Sequence, residues 1–170
     1  MKIQPLLFAL LATTLGSGVA QTPPPACTDA AWRQFDFWLG EWEVHTADGK
    51  LAGTNRITRE YGGCVLHERY QTAKGYSGES LNTYDPGRKR WHQTWVDNTG
   101  TLLLLDGSLQ GRAMVMEGST TDAAGVETRH RITWTPNDDG SVRQHWQSTD
   151  ATGAWVTAFD GLYRRRASAL

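Results

Sequence analysis

The sequence predicts an all-β fold, an antiparallel up-and-down β-barrel of about ten strands with a short N-terminal helix. Three observations carry it: beyond residue 37 the apolar pattern has period two, turn signals recur every 8–12 residues or so, and no helical crossover fits between the runs. Ala-Asp-Gly at 47–49, Asp-Pro-Gly at 85–87, Asp-Asn-Thr-Gly at 97–100 and Asp-Ala-Thr-Gly at 150–153 supply Gly, Asn or Asp where a hairpin needs positive φ. Eighteen Gly and eight Trp fit many short strands joined by tight turns. A meander of this length protects its edges most simply by closing on itself. A two-sheet sandwich is the alternative.

Residues 1–20 have the pattern of a secretory signal peptide: Lys2, an apolar run over 5–15 broken by two threonines, then Gly18 and Ala20 before a cleavage point at Gln21. The run is shorter than the roughly 20 residues a spanning helix needs. A lipid anchor on Cys27 is not expected, because Pro24 stands where a lipobox has Leu. Residues 21–27 form a Pro-rich linker, and 28–166 form the barrel domain, in the periplasm or outside the cell. In that compartment the two cysteines, Cys27 and Cys64, are expected to pair. The alternative is two separate thiols.

Thr28 offers an N-cap to a short helix running to Asp36. The strands expected after it cover 37–46, 51–61, 64–72, 79–85, 91–97, 101–107, 113–119, 127–135, 142–149 and 155–164. Side chains alternate along a strand, so each run offers two faces. The interior lists are Trp38, Gly40, Trp42 and Val44, then Trp91, Gln93, Trp95 and Asp97. On the last two strands they are Val142, Gln144, Trp146 and Ser148, and Trp155, Thr157, Phe159, Gly161 and Tyr163. For 80–84 the choice between Ser80, Asn82, Tyr84 and the opposite face stays open. The run 102–105, four leucines, reads as a strand covered by the helix or an end cap rather than as a partner surface.

Seventeen Lys+Arg against eighteen Asp+Glu give a formal charge of -1, which leaves no electrostatic footprint for nucleic acid or an anionic membrane. With 39% hydrophobic and 21% charged residues the chain has the make-up of a soluble globular domain, not of a disordered one. No later stretch is apolar for long enough to span a bilayer.

Gly40-Glu41-Trp42 after a short helix resembles the Gly-x-Trp signature of lipocalins and the wider calycin barrels. The resemblance implies that Trp42 packs across a closed barrel end beneath an arginine from the end of the last strand, here Arg164, Arg165 or Arg166, with Arg164 the first candidate. A broader pattern is similar to an uncharacterised, usually exported bacterial domain family with calycin-like barrels. It runs through Phe35-Asp36-Phe37-Trp38-x-Gly40-x-Trp42, Ser80-Leu81-Asn82-x-Tyr84-Asp85 and Trp91-x-Gln93-x-Trp95-Val96-Asp97. That family supplies a fold and a location but no activity.

The inward lists mix aromatics with Gln93, Asp97, Gln144 and Asn82, and buried amides need partners. Either they satisfy one another or they line a cavity that receives a ligand. The five histidines, His45, His67, His92, His130 and His145, show no close spacing that would make a metal site, and only His130 and His67 are candidates to face inward. His130 would be the axial ligand of a haem alternative. Glu68 and Asp97 are the inward candidates for paired-carboxylate hydrolysis, and no nucleophile-elbow pattern is present. No catalytic residue, metal or cofactor is assigned. The reading is an exported barrel, monomer or weak dimer, that binds a small organic molecule through Trp38, Asn82, Gln93, Trp95, Asp97, Gln144, Trp146 and Trp155. The rivals are a ligandless structural or interaction module, and a haem-binding barrel or small hydrolase.

Overall fold

The computed structural model describes residues 27–166; the expected signal peptide and most of the linker lie outside the described residues. Ten antiparallel strands close into one barrel in simple meander order, with β1 hydrogen-bonded to both β2 and β10. They are β1 (Gly40–Thr46), β2 (Leu51–Glu60), β3 (Val65–Gln71), β4 (Ser77–Asp85) and β5 (Arg90–Asp97). The rest are β6 (Leu102–Gln110), β7 (Ala113–Thr121), β8 (Glu127–Pro136), β9 (Val142–Thr149) and β10 (Trp155–Arg165). The sandwich alternative falls, since closure leaves no free edge. Among the described residues no helix is long and apolar enough to cross a membrane.

The expected N-terminal helix is two short 3-10 turns, Ala30–Arg33 and Asp36–Trp38. The Asp29 side chain makes no capping bond and the first turn buries nothing, so neither cap nor apolar face supports a longer α-helix. In a 3-10 turn residues three apart eclipse one another. That geometry stacks Phe35 on Trp38, with ring centroids 4.9 Å apart and planes 16° from parallel. Trp38 therefore precedes β1 instead of lying on it.

Both rings are fully buried and plug one end of the barrel. Phe35 meets Trp91 of β5 edge-on at 5.7 Å and Trp134 of β8 at 5.3 Å, while Trp38 reaches Tyr163 of β10 at 6.2 Å. The plug is tied at its start. Cys27 and Cys64 form a disulfide. Beside it Arg33 Nη2 donates to the Cys27 and Gly63 carbonyls at 3.0 and 2.6 Å. On the chain-entropy model a closed loop of 37 residues contributes about 4 kcal/mol.

At the same end Arg165 lies over Trp42, its guanidinium carbon 4.5 Å from the ring centroid. The arginine is Arg165 and not Arg164, because Trp42 pairs with Arg165 across β1 and β10 while Arg164 pairs with the outward Glu43. Arg165 Nη1 also donates to the Leu39 carbonyl at 3.1 Å. Gly40, at φ 136°, leaves the space: a Cβ there would stand 2.5 Å from Arg165 Nη1. The Gly-x-Trp spacing thus has a local cause in this chain.

Strand alternation places Val44, Ile57, Leu66, Leu105, Met114, Met116 and Trp134 inside, all at most 2% exposed. On β4 the inward face is Ser80 and Asn82. Leu103 and Leu105 point inward, but Leu102 and Leu104 are 57% and 46% exposed, so no helix or cap covers the leucine run. On β10 the register slips between Thr157 and Phe159. That bulge inverts the alternation, putting Phe159, Gly161 and Tyr163 inside but Trp155 and Thr157 outside.

Candidate functional site

The half of the barrel away from the plug holds a cavity of about 250 Å³ lined by residues of β3, β5, β6, β8, β9 and β10, with Tyr76 from the β3–β4 connection. Its walls are aromatic: Tyr70, Tyr76, Trp95, Trp146 and Phe159. Its polar groups are Glu68, Gln93, Gln144 and Tyr163. Trp95 packs against Gly78, where a Cβ would collide with the indole ring; a glycine at that position is what lets it occupy that wall.

Glu68 is the central group. It faces inward on β3 between Leu66 and Tyr70 and is 4% exposed. Ser80, its cross-strand partner on β4, donates to Oε2 at 2.6 Å, and Asn55 Nδ2 donates to Oε1 at 2.6 Å. The donors are themselves held by donors. Asn82 Nδ2 gives hydrogen bonds to Ser80 Oγ at 2.9 Å and to the Leu66 carbonyl at 3.1 Å, and Gln93 Nε2 gives one to Asn82 Oδ1 at 2.7 Å. On the other side Asn55 Nδ2 contacts the Tyr163 hydroxyl at 3.3 Å, and that hydroxyl donates to Gln144 Oε1 in a short bond. Asn55 Oδ1 is buried without a partner.

Burial pushes the Glu68 carboxyl up to about 7, because the hydrogen bonds from Ser80 and Asn55 only partly offset the lost hydration. Burial raises Tyr163 well above the ordinary phenol range, and the Glu68 charge adds to it. Asp97 sits at the mouth. Partial burial works against its charge, but hydrogen bonds from Thr99, Trp95 and Tyr76 outweigh that and hold it well below the usual carboxylate range.

Of the eight lining residues the sequence suggests, Gln93, Trp95, Gln144 and Trp146 line the cavity. Asn82 stands behind Gln93, fully buried, and orients it. Asp97 fastens Trp95 and Tyr76 at the rim through its Oδ2, at 3.2 and 3.0 Å. Two fall elsewhere. Trp38 belongs to the plug, and Trp155 lies on the outer face beneath Arg131 and Arg129, at 4.7 and 5.4 Å. The sequence pattern suggests Glu68 only as half of a carboxylate pair, and Tyr70, Tyr76 and Phe159 are not among the eight expected lining residues. The alternation Leu66-x-Glu68-x-Tyr70 is the signal that points to the first two of these.

The histidines offer no open ligand position inside. His67 faces outward between Glu60 and Glu79, at 3.2 and 2.7 Å. His130 is inward, but Thr120 Oγ1 is 2.9 Å from its Nε2 and Trp146 Nε1 donates to its Nδ1 at 3.2 Å. Among the described residues no three His, Cys, Asp or Glu converge as a metal site. A larger depression of about 630 Å³ runs across the outside of β1 to β5. Several of its charges are already paired, Arg56 to Glu41 at 3.7 Å, Arg69 to Glu60 at 2.9 Å and Glu79 to His67 at 2.7 Å. The interior carboxyl has no cationic partner, and that makes the cavity the stronger candidate.

Residues 37–165 match the family described as a protein of unknown function (DUF1579), and the chain belongs to that family. No curated protein matches it.

Proposed function

We propose that this member of the DUF1579 family is an exported binding protein of lipocalin-like build that holds a small organic molecule in its aromatic and polar cavity. The observation that carries the reading is the cluster of buried Glu68, Gln93 and Tyr163 with half-buried Gln144 bordering unfilled space. A core that served stability alone would gain from apolar side chains at these positions, since each buried polar group must be desolvated and matched. Here the matching is incomplete, with Asn55 Oδ1 unpartnered. The cavity of about 250 Å³ lies just below the range of drug-sized sites, which suits a compact ligand. Export is supported by the leader-like residues 1–20 and by the disulfide, a bond that persists in oxidising compartments. The part of the chain that would reach its ligand in such a compartment begins at Gln21.

Replacing Gln93 and Gln144 together by Leu tests the reading, with 2-phenylethanol as probe and tryptophan fluorescence as readout. The expected result is an affinity weaker by about thirtyfold, about one neutral hydrogen bond's worth for each amide. Unchanged affinity with a higher melting temperature would make both amides mere core and favour the ligandless barrel.

A further inference from the structure

We propose that the cavity takes a small organic cation, a protonated amine carried on an apolar skeleton, with Glu68 as its counter-charge. This rests on the cavity being a binding site and names the class of molecule it binds.

Charge is the first argument. Among the residues lining the cavity Glu68 is the one carboxylic acid, and Lys, Arg and His are absent from that lining. Its protein partners, Asn55 and Ser80, are neutral. A carboxylate has about four acceptor positions, so two donors leave it unsaturated. The second is direction. Gln93 donates to Asn82, Asn82 to Ser80, and Ser80 to Glu68, so the network is polarised toward the carboxylate and supports its charged form. The third is the second acceptor. Asn55, which is not among the residues lining the cavity, donates to Glu68 and keeps a buried Oδ1 without a partner, so the carboxylate's surroundings add an unmet acceptor and no positive charge, whereas an ammonium brings three donors. The fourth is the wall. The rings of Tyr70, Trp95, Trp146 and Phe159 border the space, and aromatic rings attract a cation through their quadrupoles and cover its apolar part. An anionic ligand would meet Glu68, with Asp97 behind it at the mouth. A neutral one would leave the carboxylate unmatched.

The groups facing Glu68 are Asn55 from β2, Tyr70 from its own strand, Ser80 from β4 and Tyr163 from β10, with Tyr76 and Asp97 nearer the mouth. The raised tyrosines stay neutral through the physiological range and Asp97 stays ionised. Glu68 alone among them changes charge near neutrality.

The test is a tryptophan-fluorescence titration of the wild-type protein at about pH 7.5 with matched amines, alcohols and carboxylates on butyl, cyclohexylmethyl and phenylethyl skeletons. At least one amine should bind about tenfold or more tightly than its alcohol, with the carboxylate weakest. In Glu68→Gln the preference for amine over alcohol should vanish, while alcohol affinity stays within about twofold. The comparison within the wild-type protein holds whether or not the variant folds. Alcohols binding as well as amines, or a preference that survives in Glu68→Gln, would overturn the cation and leave the cavity reading standing. If no probe bound at all, both would fall.

Discussion

The two halves of the barrel interior solve the same problem in opposite ways. At the plugged end Phe35, Trp38, Trp42, Trp91 and Trp134 fill the space with rings, each at most 1% exposed. Of the four indoles there two donate hydrogen bonds, Trp42 Nε1 to Trp38 O at 2.9 Å and Trp91 Nε1 to Gln34 Oε1 at 3.2 Å, and the Trp38 and Trp134 N–H groups are left unpartnered. That end is built by packing. At the other end polar side chains are wired to one another and space is left open between aromatic walls. Stability is concentrated where the disulfide and the plug are, and chemistry where packing is given up. A fold can hold an imperfect half when the other half closes it firmly.

Substitutions should separate the halves. The largest effect is expected from Trp38→Ala, which removes a fully buried ring from the plug and should cost about 5 kcal/mol, the upper end for such truncations, in chemical denaturation. Next comes the disulfide: reduction, or Cys27→Ser with Cys64→Ser, should cost about 4 kcal/mol by releasing a loop of 37 residues. Ligand affinity should follow stability only weakly in both, and a plug variant that lost affinity without losing stability would erase the distinction.

Glu68→Gln should act in the other direction, and with pH. The Glu68 carboxyl is raised from 4.5 to about 7 in the folded state, so the native protein holds a proton that the unfolded chain gives up between those values. Stability is therefore full below about 4.5 and declines as pH rises through 7. The variant should be the more stable protein above pH 7, by on the order of 3 kcal/mol at most, and its melting temperature should flatten across this window. Equal pH profiles in the two proteins would show that Glu68 titrates as an ordinary surface acid. The smallest effect belongs to the outer face: Trp155→Ala removes two exposed cation–π contacts and should cost about 1 kcal/mol or less, with cavity affinity untouched.

Sequence alone reveals the strands because their period of two and their turn residues are local properties. The inward faces of β1, β5 and β9 follow from the same alternation, so Trp42, Gln93, Trp95, Gln144 and Trp146 are legible. Trp155 is misread for one reason: a single extra residue at the β10 bulge inverts the face, and no turn residue marks it. Trp38 is misread because a 3-10 turn with spacing three looks like the start of a strand with spacing two. Arg165 rather than Arg164 follows only from the β1–β10 register, which closure sets. The weight of Glu68 is invisible before folding, since its donors come from β2 and β4 and its missing counter-charge is a property of the assembled lining.

The most direct measurement is native mass spectrometry of the folded protein beginning at Gln21, purified from an oxidising compartment and compared with its denatured mass. The expected result is a bound molecule of at most a few hundred daltons that leaves on denaturation, the size a cavity of about 250 Å³ admits. A bare native mass, unchanged after incubation with small amines and alcohols, would contradict it and leave a barrel filled by its own side chains.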